Sequence, residues 1–178
     1  MYPFIKLKIK TDIVDCHYGA KTLAYGDNSS IEFFKIPKSV EDQLFDIIPM
    51  EHRKHFSCKM MRINKPYIRP HTDSDRKVGI NFYINTGNAV TVFYNKKEDT
   101  KDNIKVAGQT NGSVYNESAL IQHRSFKAIV GDIWILDVTQ IHGVYSPSNT
   151  QRIAYNLSSN TLNYNDTLEI LNHLLYTA

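Results

Sequence analysis

Cysteine, tryptophan and long apolar runs are scarce in this chain, and the scarcity excludes whole classes of protein. Only Cys16 and Cys58 are present among 178 residues, and their spacing fits neither a disulfide framework nor a zinc site. We expect two reduced thiols and a cytoplasmic location. No apolar run is long enough to span a bilayer, so we expect no membrane partner.

The chain also has only a small excess of positive over negative charge. The formal net charge is +3 at pH 7, whereas nucleic-acid-binding proteins carry a concentrated basic stripe, so a nucleic-acid partner is disfavoured. Residues 1–10 alternate apolar side chains with lysines. This pattern is typical of an edge strand protected by lysines rather than of a secretion signal.

What the sequence does contain is a series of short strand-like segments. Hydrophobic residues make up 42% of the chain and no change of composition divides it, so we expect one domain over residues 1–178 with its core at about 57–159. Short apolar or alternating runs bounded by turn residues predict strands. They lie near 57–64, 79–85, 88–95, 112–116, 126–130, 132–138 and 152–159.

Two helices are predicted outside this series of strands. The first covers 39–48, with Ser39 as its N-cap residue and Pro49 as its stop, and the second covers 165–176. Many short antiparallel strands with helices outside them are typical of a mainly β fold. We therefore predict a double-stranded β-helix, the jelly roll of cupin-like proteins, with flanking helices.

The residues that carry chemistry begin with a His-x-Asp pair, His71 and Asp73. Residues i and i+2 of a strand point to the same side, so the imidazole and the carboxylate would face one point. A second histidine, His142, stands where another strand begins. Two histidines and one carboxylate can hold a redox-active iron(II) while other coordination positions stay open. We predict His71, Asp73 and His142 as metal ligands and catalytic centre.

An arginine follows the distal histidine by ten positions. Arg152 begins an alternating strand in which Ala154, Asn156 and Ser158 share its face, and these small or polar neighbours indicate a cavity floor rather than packed core. The planar guanidinium binds a carboxylate through two parallel hydrogen bonds, which lysine does not match. An acidic co-substrate is implied.

Together, His71-x-Asp73, His142 and Arg152 resemble the iron(II)- and 2-oxoglutarate-dependent oxygenases, over residues from about 57 to 159. The prolyl and aspartyl/asparaginyl hydroxylase branches are the most similar. The resemblance implies that the two histidines and the aspartate bind Fe(II), that Arg152 binds the far carboxylate of 2-oxoglutarate, and that O2 is consumed. The reaction would hydroxylate a C–H bond and release succinate and CO2.

The second contact to 2-oxoglutarate is left open, because Ala154 stands where many members of this family carry a hydroxyl residue. Asn81 and Tyr83 share one face of the strand 79–85 and are candidates, with a solvent-facing sheet surface as the alternative for both. Arg62 is a third candidate, and its alternative is a surface charge.

The primary substrate is less constrained. A prolyl or asparaginyl/aspartyl residue of a peptide leads, a free amino acid or another small molecule is the alternative, and a cupin-type metal-binding module without oxygenase activity is a third possibility.

Other sequence features have a structural alternative beside the functional one. The polar stretch 95–105 is expected to be a solvated hairpin tip or a lid over the site. The aromatic residues Trp134, Phe82 and Phe93 are candidates for the cavity wall or for plain core. Surface or packing roles are expected for the remaining histidines, which are His17, His52, His55, His123 and His173.

Overall fold

Antiparallel strands dominate the computed structural model, which describes residues 2–13, 18–25, 30–98, 103–104, 112–147 and 150–175. Helix α1 covers Lys38–Phe45 and helix α2 covers Tyr164–Ile170. Short 3-10 turns lie at Met50–His55, Glu117–Ala119 and Asn172–Leu174. The strands, in chain order, are β1 Phe4–Lys10, β2 Lys21–Tyr25, β3 Ile31–Phe34, β4 Ser57–Ile63, β5 Tyr67–Thr72, β6 Val78–Asn85, β7 Val90–Lys96, β8 Asn103–Ile104, β9 Ser113–Tyr115, β10 Leu120–Lys127, β11 Asp132–Leu136, β12 His142–Tyr145 and β13 Arg152–Ser159.

The strands form two sheets. The larger sheet has the order β1-β11-β6-β13-β4-β3-β2 and the smaller sheet has the order β10-β7-β12-β5-β9-β8. The pairings between described strands are antiparallel. Two such sheets packed face to face, with few helices, are a jelly roll. The predicted fold class is confirmed.

Hydrophobic clusters lie on both faces of the larger sheet, because successive residues of a strand point to opposite sides. Met60 of β4 packs with Leu44 of α1 in the outer cluster. Its neighbour Met61 joins the inner cluster, which also contains Phe93 of the smaller sheet. The outer cluster therefore anchors the helices, and the inner cluster holds the two sheets together.

Most predicted strands are confirmed, one is wrong in position, and β2, β3, β5 and β8 lie outside the predicted set. The segment predicted at 126–130 is wrong in position, because β10 covers Leu120–Lys127 and Gly131, at φ 87°, turns the chain into β11. The strand β5, Tyr67–Thr72, lies outside the predicted set. It contains Pro70, which cannot donate to a ladder, and the pairing with β12 shifts register between Ile68 and His71 to accommodate it.

The helix ends also differ from prediction. Helix α1 follows Pro37, which occupies the N-cap position predicted for Ser39. Helix α2 follows Asn163, whose side chain accepts from the Asp166 backbone at 3.0 Å while the Asp166 carboxylate accepts from the Asn163 backbone at 2.8 Å. This reciprocal pair is a capping box. The predicted extension to 176 is wrong, because α2 ends at Ile170.

Among the described residues no helix is long and apolar enough to cross a membrane.

The single cysteine that the structure describes, Cys58, is a free thiol on β4. Burial raises its pKa to about 12, so the group stays protonated at neutral pH and is a poor nucleophile. Cys16 lies outside the described residues.

A buried carboxylate ties β3 to β4. Glu32 accepts from the Arg62 guanidinium at 2.8 Å, from the Asn64 amide at 2.6 Å and from the Lys21 ammonium at 3.2 Å. Hydrogen bonds from Arg62 and then from Asn64 lower the pKa of Glu32 to about 2, although burial acts in the opposite direction. The ionised carboxylate is therefore part of the folded state.

This depressed pKa predicts an acid-dependent loss of stability. The contribution of Glu32 is complete above the ordinary glutamate pKa of 4.5 and is lost as the pH falls toward about 2. The difference in unfolding free energy between wild type and Glu32→Gln should therefore shrink over that range, as measured by urea unfolding at each pH. The exposed Glu51, changed in the same way, is the control for loss of one carboxyl group. A difference that does not vary with pH would contradict the prediction.

Candidate metal centre

His71 and His142 lie on neighbouring strands of the smaller sheet. They are Cα partners in the β5 and β12 pairing, and their ring centroids are 4.4 Å apart. Asp73 follows β5 directly, and its backbone N–H donates to the carbonyl of Val138 at 3.0 Å. One ligand atom from each of the three residues lies within 4.8 Å of the other two. The structure thus brings the three predicted ligands together.

Both imidazoles are held in the same orientation by the backbone. Nδ1 of His71 lies 2.8 Å from the carbonyl oxygen of Arg69, and Nδ1 of His142 lies 2.9 Å from that of Gln140. A carbonyl oxygen only accepts, so Nδ1 of each ring carries a proton, and in a neutral imidazole of this tautomer Nε2 keeps its lone pair. Such outer partners are typical of metal-ligating histidines, because they fix the tautomer and the ring direction.

The charge states of His142 and Asp73 suit metal binding. Burial, together with the neighbouring His71, lowers the pKa of His142 to about 4, so this imidazole is neutral at pH 7. Burial alone would raise the pKa of the Asp73 carboxyl, but Arg76 and the two imidazoles outweigh it and the pKa lies below its ordinary value. A neutral imidazole and an ionised carboxylate are the forms that bind cations.

Two glycines allow the strands around the trio to approach closely. A β-carbon on Gly143, directly after His142, would lie 2.9 Å from the carbonyl oxygen of Ile68 on β5. Gly112 has φ 94°, and a β-carbon there would overlap the carbonyl oxygen of Thr72. Larger residues at these positions would push β12 and β9 away from β5, which carries His71.

Arg152 is the first residue of β13 and is 4% exposed. Its Nη2 donates to Oγ1 of Thr91 at 2.9 Å and to the hydroxyl of Tyr83. The buried Nε and Nη1 atoms have no hydrogen-bond partner. No carboxylate of the described residues pairs with it. The guanidinium is therefore a buried cation that lines the cavity without a counter-ion.

Asn81 and Tyr83 share the inner face of β6, and neither is solvent-facing. Asn81 is 4% exposed and Tyr83 is 0% exposed. The amide of Asn81 donates to the Tyr83 hydroxyl at 3.3 Å, and the amide of Asn156 on β13 donates to the Asn81 carbonyl oxygen at 2.7 Å. Asn81 lines the cavity directly. Tyr83 does not line the cavity, but its hydroxyl contacts Arg152, which does.

Arg62 is not brought to the cavity. Its guanidinium pairs with Glu32 and stacks over Phe34, at 4.7 Å from the ring centroid. Phe34 belongs to the outer cluster, on the opposite face of the larger sheet from the metal ligands. The expectation that Arg62 contacts the co-substrate is therefore corrected, because its side chain points away from the site.

The cavity over the trio measures about 200 Å³ and lies between the two sheets. Its apolar wall comes from Phe33, Met61, Ile63, Val114 and Leu136. The aromatic residues Trp134, Phe82 and Phe93 do not line it. Phe82 packs in the outer cluster, Trp134 stacks on Phe126 at 4.0 Å, and Phe93 stacks behind His142 at 5.6 Å. Core packing, the alternative stated for them, is what the structure shows.

Sequence reasoning missed two residues of the site. Arg76 lines the cavity and its Nη2 lies 2.6 Å from Oδ2 of Asp73. Thr91 lines it from β7 and holds Arg152. A metal-binding carboxylate usually accepts a hydrogen bond from an outer donor. A basic residue close to Asp73 in the sequence, such as Arg76, could therefore have been predicted as that donor. No sequence signal indicated Thr91.

The stretch 95–105, expected to be a hairpin tip or a lid, lies partly outside the described residues. Within it, Asn103–Ile104 forms β8, which pairs with β9, and β9 pairs with β5 at His71 and Thr72. The segment therefore returns to the strand that carries a metal ligand. Its role as a lid stays a prediction.

Among the described residues, no second cluster of histidine, cysteine and acidic side chains has metal-ligand geometry. The fold and the trio thus define a jelly-roll protein with a candidate metal site. Neither a protein-family model nor a curated protein sequence matches the chain.

Several solved structures are similar in fold. The non-heme α-ketoglutarate-dependent epimerase SnoN from nogalamycin biosynthesis has 9% identity and a TM-score of 0.46, over 78% of this chain and 66% of its own. Vicilin from Capsicum annuum has 12% identity and a TM-score of 0.43, over 78% of this chain and 30% of its own. Oxalate decarboxylase from Bacillus subtilis has 8% identity and a TM-score of 0.40, over 79% and 28%. The chain spans less than a third of the length of this vicilin.

Proposed function

We propose that the protein is an Fe(II)- and 2-oxoglutarate-dependent oxygenase. The observation that carries the proposal is the buried guanidinium of Arg152, which has no carboxylate partner among the described residues and lies in the same cavity as the ligand trio. Burying a cation without a partner is costly, so its natural complement is an anion that enters the cavity. A small dicarboxylate that reaches both the metal and Arg152 meets this need.

The donor set suits iron(II). His71 and His142 would each give Nε2, and Asp73 would give a carboxylate oxygen, which is the two-histidine, one-carboxylate arrangement of non-heme iron oxygenases. Bound there, iron(II) would supply the activation of O2 that couples oxidative decarboxylation of 2-oxoglutarate to oxidation of a C–H bond.

The residues of the chain would bind and orient the co-substrate. Nε and Nη1 of Arg152 have no hydrogen-bond partner and are available to donate to an entering carboxylate, while Thr91 and Tyr83 hold Nη2. Asn81 lines the cavity, and its amide nitrogen carries two N–H groups, of which one donates to the Tyr83 hydroxyl. Asn81 is therefore proposed as the second 2-oxoglutarate contact, and Tyr83, which accepts from Arg152, as a residue that positions the guanidinium.

For the primary substrate, the leading candidate is a prolyl or asparaginyl/aspartyl residue of a peptide, and the alternative is a free amino acid or another small molecule. The apolar wall of Phe33, Met61 and Ile63 beside the ligand trio suits a substrate that presents a C–H bond from an apolar carbon. The reaction would be hydroxylation with release of succinate and CO2.

The test is co-substrate binding followed by turnover. Calorimetry should detect one 2-oxoglutarate per Mn(II)-loaded protein and none without metal. With Fe(II) and O2, succinate should form slowly alone and faster with the correct member of a peptide and amino-acid library. Metal binding without any affinity for 2-oxoglutarate would favour the cupin-type metal-binding module instead.

A further inference from the structure

Arg76 contacts the metal-binding carboxylate directly. Its Nη2 lies 2.6 Å from Oδ2 of Asp73, whereas Oδ1 of Asp73 lies 3.6 Å from Nε2 of His71. The two carboxylate oxygens therefore have different neighbours. Oδ2 faces a guanidinium, and Oδ1 faces the nitrogen that would bind the metal.

Arg76 is itself held in place. Its Nη1 donates to Oδ1 of Asn156 at 3.4 Å, and its guanidinium lies 5.5 Å from the ring centroid of Phe33. An arginine only donates, so the Asn156 oxygen must face it, and the Asn156 amide then donates to Asn81 at 2.7 Å. The Asn81 amide donates in turn to the Tyr83 hydroxyl, which also accepts from Arg152, so hydrogen bonds from both sides end at the Tyr83 oxygen.

The consequence concerns how Asp73 binds an ion. A carboxylate can bind a cation through one oxygen or through both, and the second mode uses an additional coordination position. An oxygenase needs its open positions for co-substrate and O2. An arginine that occupies one oxygen prevents the two-oxygen mode.

We propose that Arg76 is a positioning residue, which reserves Oδ2 of Asp73 so that the aspartate gives the metal a single oxygen. The inference deepens the proposed function, because it explains how positions at the metal stay open for 2-oxoglutarate. Asn156 and Phe33 support Arg76 from behind.

The test is the number of exchangeable water molecules on bound Mn(II), measured by water-proton relaxation. Arg76→Met removes the guanidinium and frees Oδ2, so the variant should carry one fewer water than wild type. Its affinity for Mn(II) should be no weaker, since the carboxylate gains a free oxygen. Its affinity for 2-oxoglutarate should fall, because the second aspartate oxygen then takes a coordination position that the co-substrate needs.

Two variants separate position from charge. Arg69 also lines the cavity but forms no ion pair with Asp73, so Arg69→Met removes the same charge and should keep the wild-type number of waters. Arg76→Lys retains a cation near Oδ2 and should restore part of the lost 2-oxoglutarate affinity. Should Arg76→Met not fold, Arg76→Gln, which is shorter and uncharged, replaces it in the same comparison.

Two outcomes would overturn the proposal. One is an equal number of waters on Mn(II) in wild type and in the folded Arg76→Met variant. The other is loss of Mn(II) binding in that variant, because Arg76 would then support the site in a different way. The water measurement needs no 2-oxoglutarate, so its result stands apart from the test of the oxygenase proposal.

Discussion

His71→Ala and His142→Ala are each expected to abolish binding of iron(II) and, with it, all succinate production. Two protein donors are too few to retain a hard divalent ion against water, and the remaining imidazole and carboxylate lose the shared face that the β5 and β12 pairing creates. Mn(II) calorimetry and succinate assays on the purified variants are the measurements.

The fold should survive both changes. His71 is partly exposed and its ring bonds only the carbonyl of Arg69, and His142 stacks on Phe93 at the edge of the inner cluster. A melting curve close to wild type would separate loss of the ligand from loss of structure. His55→Ala is the matched control, because that ring bonds Thr161 instead and lies outside the cavity. Wild-type Mn(II) affinity in either folded ligand variant would refute the assignment of the site.

The placement of His71, Asp73, His142 and Arg152 around one cavity could be predicted from sequence because strand periodicity decides their geometry. His71 and Asp73 are two positions apart, and His142 and Arg152 each begin a strand, so the chain itself limits where their side chains point. The antiparallel pairing of two central strands then sets His71 opposite His142. A correct assignment of the strands was therefore nearly sufficient to predict where these four side chains lie.

Arg62 shows where periodicity is insufficient. The alternation in β4 separates Met61 from Arg62 correctly, but it does not say which face of the sheet meets the cavity. Both faces of β4 carry buried apolar residues, Met60 outside and Met61 inside. The choice depends on helix α1 and on Glu32 of β3, which are distant in sequence.

Arg76 and Thr91 could not be assigned for a different reason. Arg76 lies in the bend between β5 and β6, where no repeat fixes the direction of a side chain. Thr91 meets Arg152 across the space between the sheets, a distance of sixty-one residues along the chain. Contacts of that kind come from packing of the two sheets, which local sequence does not encode.

Arg152→Met is expected to change co-substrate affinity and stability in opposite directions. The variant keeps most of the side-chain length but loses the charge and both free donors, Nε and Nη1. Truncating one partner of a buried charge pair costs about 2 to 5 kcal/mol, so the dissociation constant for 2-oxoglutarate should rise by roughly 30-fold to several thousandfold. Affinity for Mn(II) should stay at the wild-type value.

The same variant should melt at a temperature equal to or above that of wild type in the absence of 2-oxoglutarate. Without an anion, Arg152 is a buried charge whose partners among the described residues are the neutral oxygens of Thr91 and Tyr83. Replacing an uncompensated buried ion by an apolar side chain of similar size is often neutral or stabilising. Added 2-oxoglutarate should raise the melting temperature of the metal-loaded wild type and leave the variant unchanged.

Arg62→Met is the matched control, since it makes the same substitution on the neighbouring strand β4. Arg62 already has a carboxylate partner, Glu32, so its loss leaves a buried anion with fewer donors and should lower the melting temperature. It should leave 2-oxoglutarate affinity intact, because its side chain lies on the opposite face of the sheet from the cavity. If Arg152→Met instead lowers stability as Arg62→Met does, and binds 2-oxoglutarate normally, then Arg152 is a structural residue. The metal-binding module without oxygenase activity would become the better account of the site.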